Sequence, residues 1–182
     1  MTENTYLPAD TDHELLPVVD EHDNVIGTAT RREAHAKGLR HRAVHIVIVR
    51  DDGMILLQRR SMAKDLFPGW WDISVGGHVD AGEGYDEAVV RELREELGIA
   101  APARRVAIVE ANPVTGWEFQ HVYECPHEGP FHPNEAEVTA VRWARLDAVL
   151  ADEAPFAEEP AARVTPAGIQ SIAAWARATG RA

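Results

Sequence analysis

A single cysteine, Cys125, leaves the 182-residue chain unable to close an internal disulfide. No apolar run reaches 18 residues and no apolar h-region stands near the start, so neither a spanning helix nor a secretory leader is expected. The expectation is a soluble, cytoplasmic protein with no membrane partner. Positive charge is also scarce, with 18 Lys and Arg against 30 Asp and Glu, for a formal net charge of −12. DNA and RNA select an excess of basic groups, so no nucleic-acid polymer is expected as a partner. A small phosphorylated molecule remains compatible, provided that a local basic patch or bridging cations offset its charge.

What is present is material for one core. Hydrophobic residues make up 45% of the chain, enough for a single globular domain. Residues 1–13 are polar and aperiodic and are expected to form a flexible arm, with residues 14–182 as one domain. Leu15 to Val19 and Val25 to Ala29 read as short strands around a polar turn. Thr30 can cap a short helix that stops at Gly38. Ala43 to Val49 and Met54 to Gln58 read as a hairpin around Asp51-Asp52-Gly53. Ile73 to Val75, Val106 to Glu110, Phe119 to Tyr123 and Val138 to Ala144 read as further strands. Helices are expected from about Gly84 to Leu97, ended by Gly98, and from Ala167 to Ala178. Strands that do not alternate strictly with helices point to an α/β fold layered on a mixed sheet.

The first of these long helices carries the chemistry. Glu92, Glu95 and Glu96 stand at i, i+3 and i+4 and share one face, whereas Val89, Leu93 and Leu97 form a separate apolar stripe. Exposed like charges at this spacing cost only about a few tenths of a kcal/mol, so repulsion alone does not require a ligand. Position is more telling. Glu83, Asp86 and Glu87 suit the positive end of the helix dipole, but Glu95 and Glu96 sit in the last turn, where the dipole disfavours anions. Three clustered carboxylates suit Mg²⁺ or Mn²⁺, hard cations that take oxygen ligands.

Gly77, Glu83, Arg91, Glu92, Leu93, Glu95, Glu96, Gly98 and Ile99 fall at every defined position of the Nudix box, and the chain resembles the Nudix hydrolase superfamily. With ordinary residue frequencies such a match arises by chance about once in ten million start positions. The resemblance implies a Nudix fold, an α/β/α sandwich with a mixed sheet. It also implies that Glu92, Glu95, Glu96 and the carbonyl of Gly77 hold Mg²⁺ (or Mn²⁺), while Glu83 and Arg91 brace the loop and helix. The activity implied is hydrolysis of a diphosphate linkage in a nucleoside diphosphate derivative or related organic diphosphate. Glu95 is the first choice of base and Glu92 its companion, with Glu118, Glu135 and Glu137 as alternatives outside the box. A sensing module would be expected to have lost box carboxylates, and none is lost here.

A wider stretch resembles the isopentenyl-diphosphate isomerase branch of the superfamily. His35, His41-Arg42-Ala43, Leu57 to Ser61, Lys64, Phe67-Pro68-Gly69 and His78 occur in matching order. In that branch the histidines join a metal site, and residues matching Arg60 and Lys64 hold diphosphate. Isomerisation there needs a cysteine just before the helix loop, where this chain has Ser74-Val75-Gly76-Gly77. Glu118 matches one of two paired glutamates, but Gly116 takes the place of the other. Hydrolysis therefore ranks first and an isomerase-like activity second. Arg60, Lys64 and Trp117 are the expected substrate contacts. Trp70, Trp71 and Phe119 are further stacking candidates, and His45 reads as structural. The acidic run around Glu153, Glu158 and Glu159 reads as a solvated loop. The partner expected is a small phosphorylated molecule, and a homodimer is left open.

Overall fold

The β-branched run near residue 45 becomes the central strand of a nine-stranded mixed sheet. The computed structural model describes residues 14–64 and 66–182, so the arm expected at residues 1–13 lies outside the described residues. Strands β1 (Leu15–Val19) and β2 (Val25–Thr30) form an antiparallel hairpin whose turn is held by the Asp20 carboxylate, which accepts from the amides of His22 and Asn24. Helix α1 (Arg31–Lys37) starts at Thr30, whose hydroxyl accepts from the Glu33 amide, and ends at the left-handed Gly38.

Strand β3 (His41–Val49) then organises the rest. It runs parallel to β8 (Glu118–Pro126) along its full length, with His41 opposite Glu118. On its other side it meets β1 at Val18, β6 (Val75–His78) across Ala43 to Ile46, and β4 (Ile55–Arg60) at Val49. Strand β4 is antiparallel to β5 (Trp71–Asp72) and β9 (Val138–Ala144), and β7 (Arg104–Val109) is antiparallel to β8.

Side chains alternate along β3, and each face buries one long helix. Val44, Ile46 and Ile48 pack with Val89, Leu93 and Leu97 of α2 (Tyr85–Leu97). Val47 and Val49 pack with Ile172 and Trp175 of α4 (Pro166–Ala178), which Thr165 caps ahead of a proline at its start. The result is the expected α/β/α layering around a mixed sheet.

One expectation is corrected. Ile73 to Val75 is not one strand: β5 ends at Asp72 and β6 begins at Val75. Between them the Ser74 hydroxyl accepts from the Ile48 amide (2.8 Å) and donates to the Leu56 carbonyl (2.6 Å). That side chain replaces ladder bonds and carries the chain from β4 across to β3. A further helix, α3 (Leu146–Leu150), is too short for periodicity to reveal it.

Candidate active site

The apolar stripe of α2 seats the helix. Val89, Leu93 and Leu97 are at most 4% exposed, and burying each stabilises the contact by roughly 1.5–3 kcal/mol. With that stripe fixed, the acidic stripe lands on β6. Glu92 is 7% exposed and Glu96 2% exposed, whereas the Glu95 side chain, nearer the rim, is 42% exposed. A methyl group on Gly77 would overlap the Glu92 carboxylate, so a side chain here would displace that carboxylate from its place against β6. Glu96 Oε2 accepts from Gln58 Nε2 (2.9 Å) and from the Gly76 amide (3.3 Å).

Arg91 ties the site together. Its guanidinium grips Glu83 with two bonds of 2.9 Å, and it also donates to Glu92 (2.7 Å), to Glu95 (3.1 Å) and to the His78 carbonyl (2.8 Å). The planar five-donor fork makes this set of contacts available to arginine and not to lysine. Even so, the acids outnumber their partners. Burial pushes the Glu92 carboxyl up to about 7 against the opposing pull of Arg91, and burial followed by the charge of Glu92 raises Glu96 well above the carboxylate range. Glu137 adds negative potential at both groups, and Lys64 relieves it at Glu96. Lys64 Nζ itself donates to Glu137 Oε2 (2.8 Å).

A divalent cation would remove this mutual repulsion, and an all-oxygen donor set fits a hard ion. Of the expected residues, the fold thus brings together Gly77, Glu92, Glu96, Lys64 and Glu137, with Glu95 joined through Arg91. Gln58 was not anticipated, because its place beneath Glu96 depends on how β4 lies against α2. Other residues lie elsewhere. Arg60 donates to Asp72 (3.0 Å) and to the Leu66 carbonyl (3.1 Å). Glu135 is exposed. Trp117, at φ 70°, packs on Gly38, where an added Cβ would come within 2.9 Å of its indole nitrogen. Trp71 and Phe119 are core residues, 2% and 6% exposed, while Trp70 stays 38% exposed beside Phe67.

Glu118 belongs to a second constellation. His35 of α1, His41 of β3, His78 of β6 and Glu118 of β8 each offer a ligand atom, and these atoms lie within 4.8 Å of one another. Gly77 faces Glu92, and by strand alternation His78 turns to the opposite side of β6. His41 Nδ1 lies 2.8 Å from the Leu39 carbonyl and must carry the proton there, which leaves Nε2 as the bare nitrogen. His41 is fully buried, and its Nε2 is the one buried side-chain polar atom without a hydrogen-bond partner among the described residues. Burial, aided by His78, lowers His35 to about 4 and also lowers His41, so both are neutral imidazoles near pH 7. Burial alone would raise Glu118, but it is held below the usual carboxylate range, with its hydrogen bond to His78 the foremost opposing cause. The three histidines were anticipated as a group. What joins Glu118 to them is the parallel register of β3 and β8.

Proteins of similar sequence and fold are known. The family model for the NUDIX domain matches residues 39–166. The Nudix hydrolase YfcD of Salmonella typhi is 35% identical over 168 residues, covering 89% of this chain and 84% of the relative. A Nudix hydrolase of Streptomyces coelicolor is 46% identical over 91 residues, 50% of either chain. The crystal structure of DR0079 from Deinococcus radiodurans superposes with a TM-score of 0.73 at 31% identity, covering 89% of this chain and 99% of that one. In fold alone, the NUDIX domain of Shewanella oneidensis NrtR, solved with ADP-ribose, is also similar, with a TM-score of 0.59 at 22% identity over 82% of this chain and 98% of that one. The chain belongs to the Nudix hydrolase family.

Proposed function

We propose that this chain hydrolyses a diphosphate linkage in a nucleoside diphosphate derivative or related organic diphosphate, with Mg²⁺ or Mn²⁺ held by Glu92, Glu95, Glu96 and the Gly77 carbonyl. The observation that carries this reading is the burial of Glu92 and Glu96 side by side against the glycines of β6, with too few cationic partners to neutralise them. When bound there, a divalent ion supplies charge neutralisation at the phosphates and a more acidic water. Glu95, exposed at the rim, takes the proton, and Glu137 is the alternative base, since its carboxylate already faces Lys64 across the same site. Lys64 exchanges that carboxylate for substrate phosphate, and Arg60 holds the loop from which Lys64 projects. Residues 14–182 act as one domain.

The isomerase-like reading has one favourable observation, the gathering of His35, His41, His78 and Glu118. The thiol that proton transfer would require counts against it. Cys125 is buried and pushed up to about 11 by burial, which suits an inert core residue. A product screen separates the readings. Nucleoside diphosphate derivatives, diphospho-sugars and isoprenoid diphosphates are incubated with Mg²⁺, with Mn²⁺ and with chelator. Metal-dependent phosphate-containing products that vanish in Glu96→Gln support hydrolysis, and interconversion of the two five-carbon diphosphates without cleavage overturns it.

A further inference from the structure

Behind the histidine cluster a chain of buried polar groups runs into the last helix. Glu118 Oε2 accepts from Gln120 Nε2 (2.8 Å), Gln120 Oε1 lies 2.9 Å from Ser171 Oγ, and Ser171 Oγ lies 2.8 Å from His45 Nδ1. Gln120 and Ser171 are fully buried and His45 is 7% exposed. Only one arrangement of protons satisfies all three contacts. A carboxylate only accepts, so the Gln120 amide turns its nitrogen to Glu118 and its oxygen to Ser171. Ser171 spends its single proton on that oxygen and must then accept the N–H of His45. That contact, at 2.8 Å, places the imidazole proton on Nδ1.

The consequence falls on Glu118. Gln120 engages its Oε2, which also lies 3.9 Å from His45 Nε2, and its Oε1 stands 3.4 Å from His78 Nε2, inside the cluster. The relay sits between Val47 and Val122 on the sheet and Ile172 and Trp175 on α4, where most of the packing is apolar. A hydrogen-bonded amide and hydroxyl contribute little net stability in such a place, where aliphatic side chains would serve the packing. Their effect is directional. We infer that Ser171, Gln120 and His45 form a positioning relay through which α4 aims Glu118 Oε1 as the carboxylate ligand of a transition-metal ion bound by His35, His41 and His78.

This inference rests on reading that cluster as a cation site. Three imidazoles and one carboxylate suit a borderline ion, so Co²⁺ is a fitting probe. The full chain is titrated with Co²⁺ and followed by visible absorption, and His41→Ala identifies the part of the signal that belongs to the cluster. The expected result is a His41-dependent band whose affinity falls about 10–100-fold in Ser171→Ala and in Gln120→Leu, with a shifted band position as Glu118 turns. Because Ser171 acts through Gln120, the double variant loses no more than Gln120→Leu alone. Where Gln120→Leu does not fold, Ser171→Ala, which removes a single oxygen, decides alone. A folded Ser171→Ala that melts lower yet keeps the wild-type affinity and band overturns the relay and leaves the cluster intact. A wild-type chain without any His41-dependent band overturns the cluster reading and the relay with it.

Discussion

On the α2 face of the sheet the candidate ligands are carboxylates from one helix, Glu92, Glu95 and Glu96. On the α4 face they are three imidazoles and one carboxylate drawn from α1, β3, β6 and β8. The first set is assembled by helical periodicity and concentrates negative charge in a buried place, so it depends on Arg91 and gains most from a divalent ion. The second set is assembled by strand register and is mostly neutral, so it keeps lone pairs available at little electrostatic cost. Two adjacent residues of β6, Gly77 and His78, serve the two sets from opposite sides. The difference explains why an oxygen-only site suits phosphate chemistry while the nitrogen-rich one favours a borderline metal.

Removing charge from the α2 face should have the largest effect. Glu96→Gln is expected to lower kcat/KM of metal-dependent hydrolysis by about 10²–10³-fold, since a metal ion supplies several kcal/mol and each tenfold is worth about 1.4 kcal/mol. Steady-state kinetics check this, and the same variant should melt higher than wild type without metal, because one buried carboxylate no longer repels its neighbour. Arg91→Ala should do the reverse in thermal melts without metal. It strands Glu83, Glu92 and Glu95, at an expected cost of about 3 kcal/mol, less the part screened by solvent at the rim.

The two faces should also respond to pH with opposite sign. Glu92 and Glu96 are raised in the folded chain, so their contribution to stability is full below the unfolded carboxylate pKa and is lost as pH rises, for Glu92 through about 7. His35 and His41 are lowered, so theirs is full above the unfolded histidine pKa of about 6.5 and is lost as pH falls, for His35 through about 4. Melting temperature of the metal-free chain should therefore decline on both sides, and Mg²⁺ should restore the alkaline side selectively. A decline on the alkaline side that Mg²⁺ leaves unchanged would separate it from the α2 carboxylates. The smallest effect is expected for Lys64→Ala, a rise in KM of about tenfold with kcat little changed, as for lost ground-state binding.

The contrast between the faces also governs how much could be read from the sequence. Helix α2, its two stripes, its terminal Gly98 and the box residues are local patterns, and they were legible without a fold. The histidines were legible as residues but not as a cluster with Glu118, because only the β3 and β8 register sets His41 opposite it. Gln58 under Glu96 and Lys64 against Glu137, 73 residues apart, likewise depend on which strands meet. Ser74 broke an expected strand because its hydroxyl found two backbone partners that periodicity does not reveal. Read as structural, His45 did prove to be a hydrogen-bonded strand residue, though one end of its polar chain reaches Glu118.

The most direct test of water-driven cleavage at the α2 carboxylates is reaction in ¹⁸O-labelled water with mass analysis of the products. The account predicts one ¹⁸O in a phosphate-containing product, formed with Mg²⁺ or Mn²⁺ and absent with chelator or with Glu96→Gln. Label incorporation that is indifferent to metal and to Glu96, or turnover of a diphosphate with no label incorporated, would contradict it.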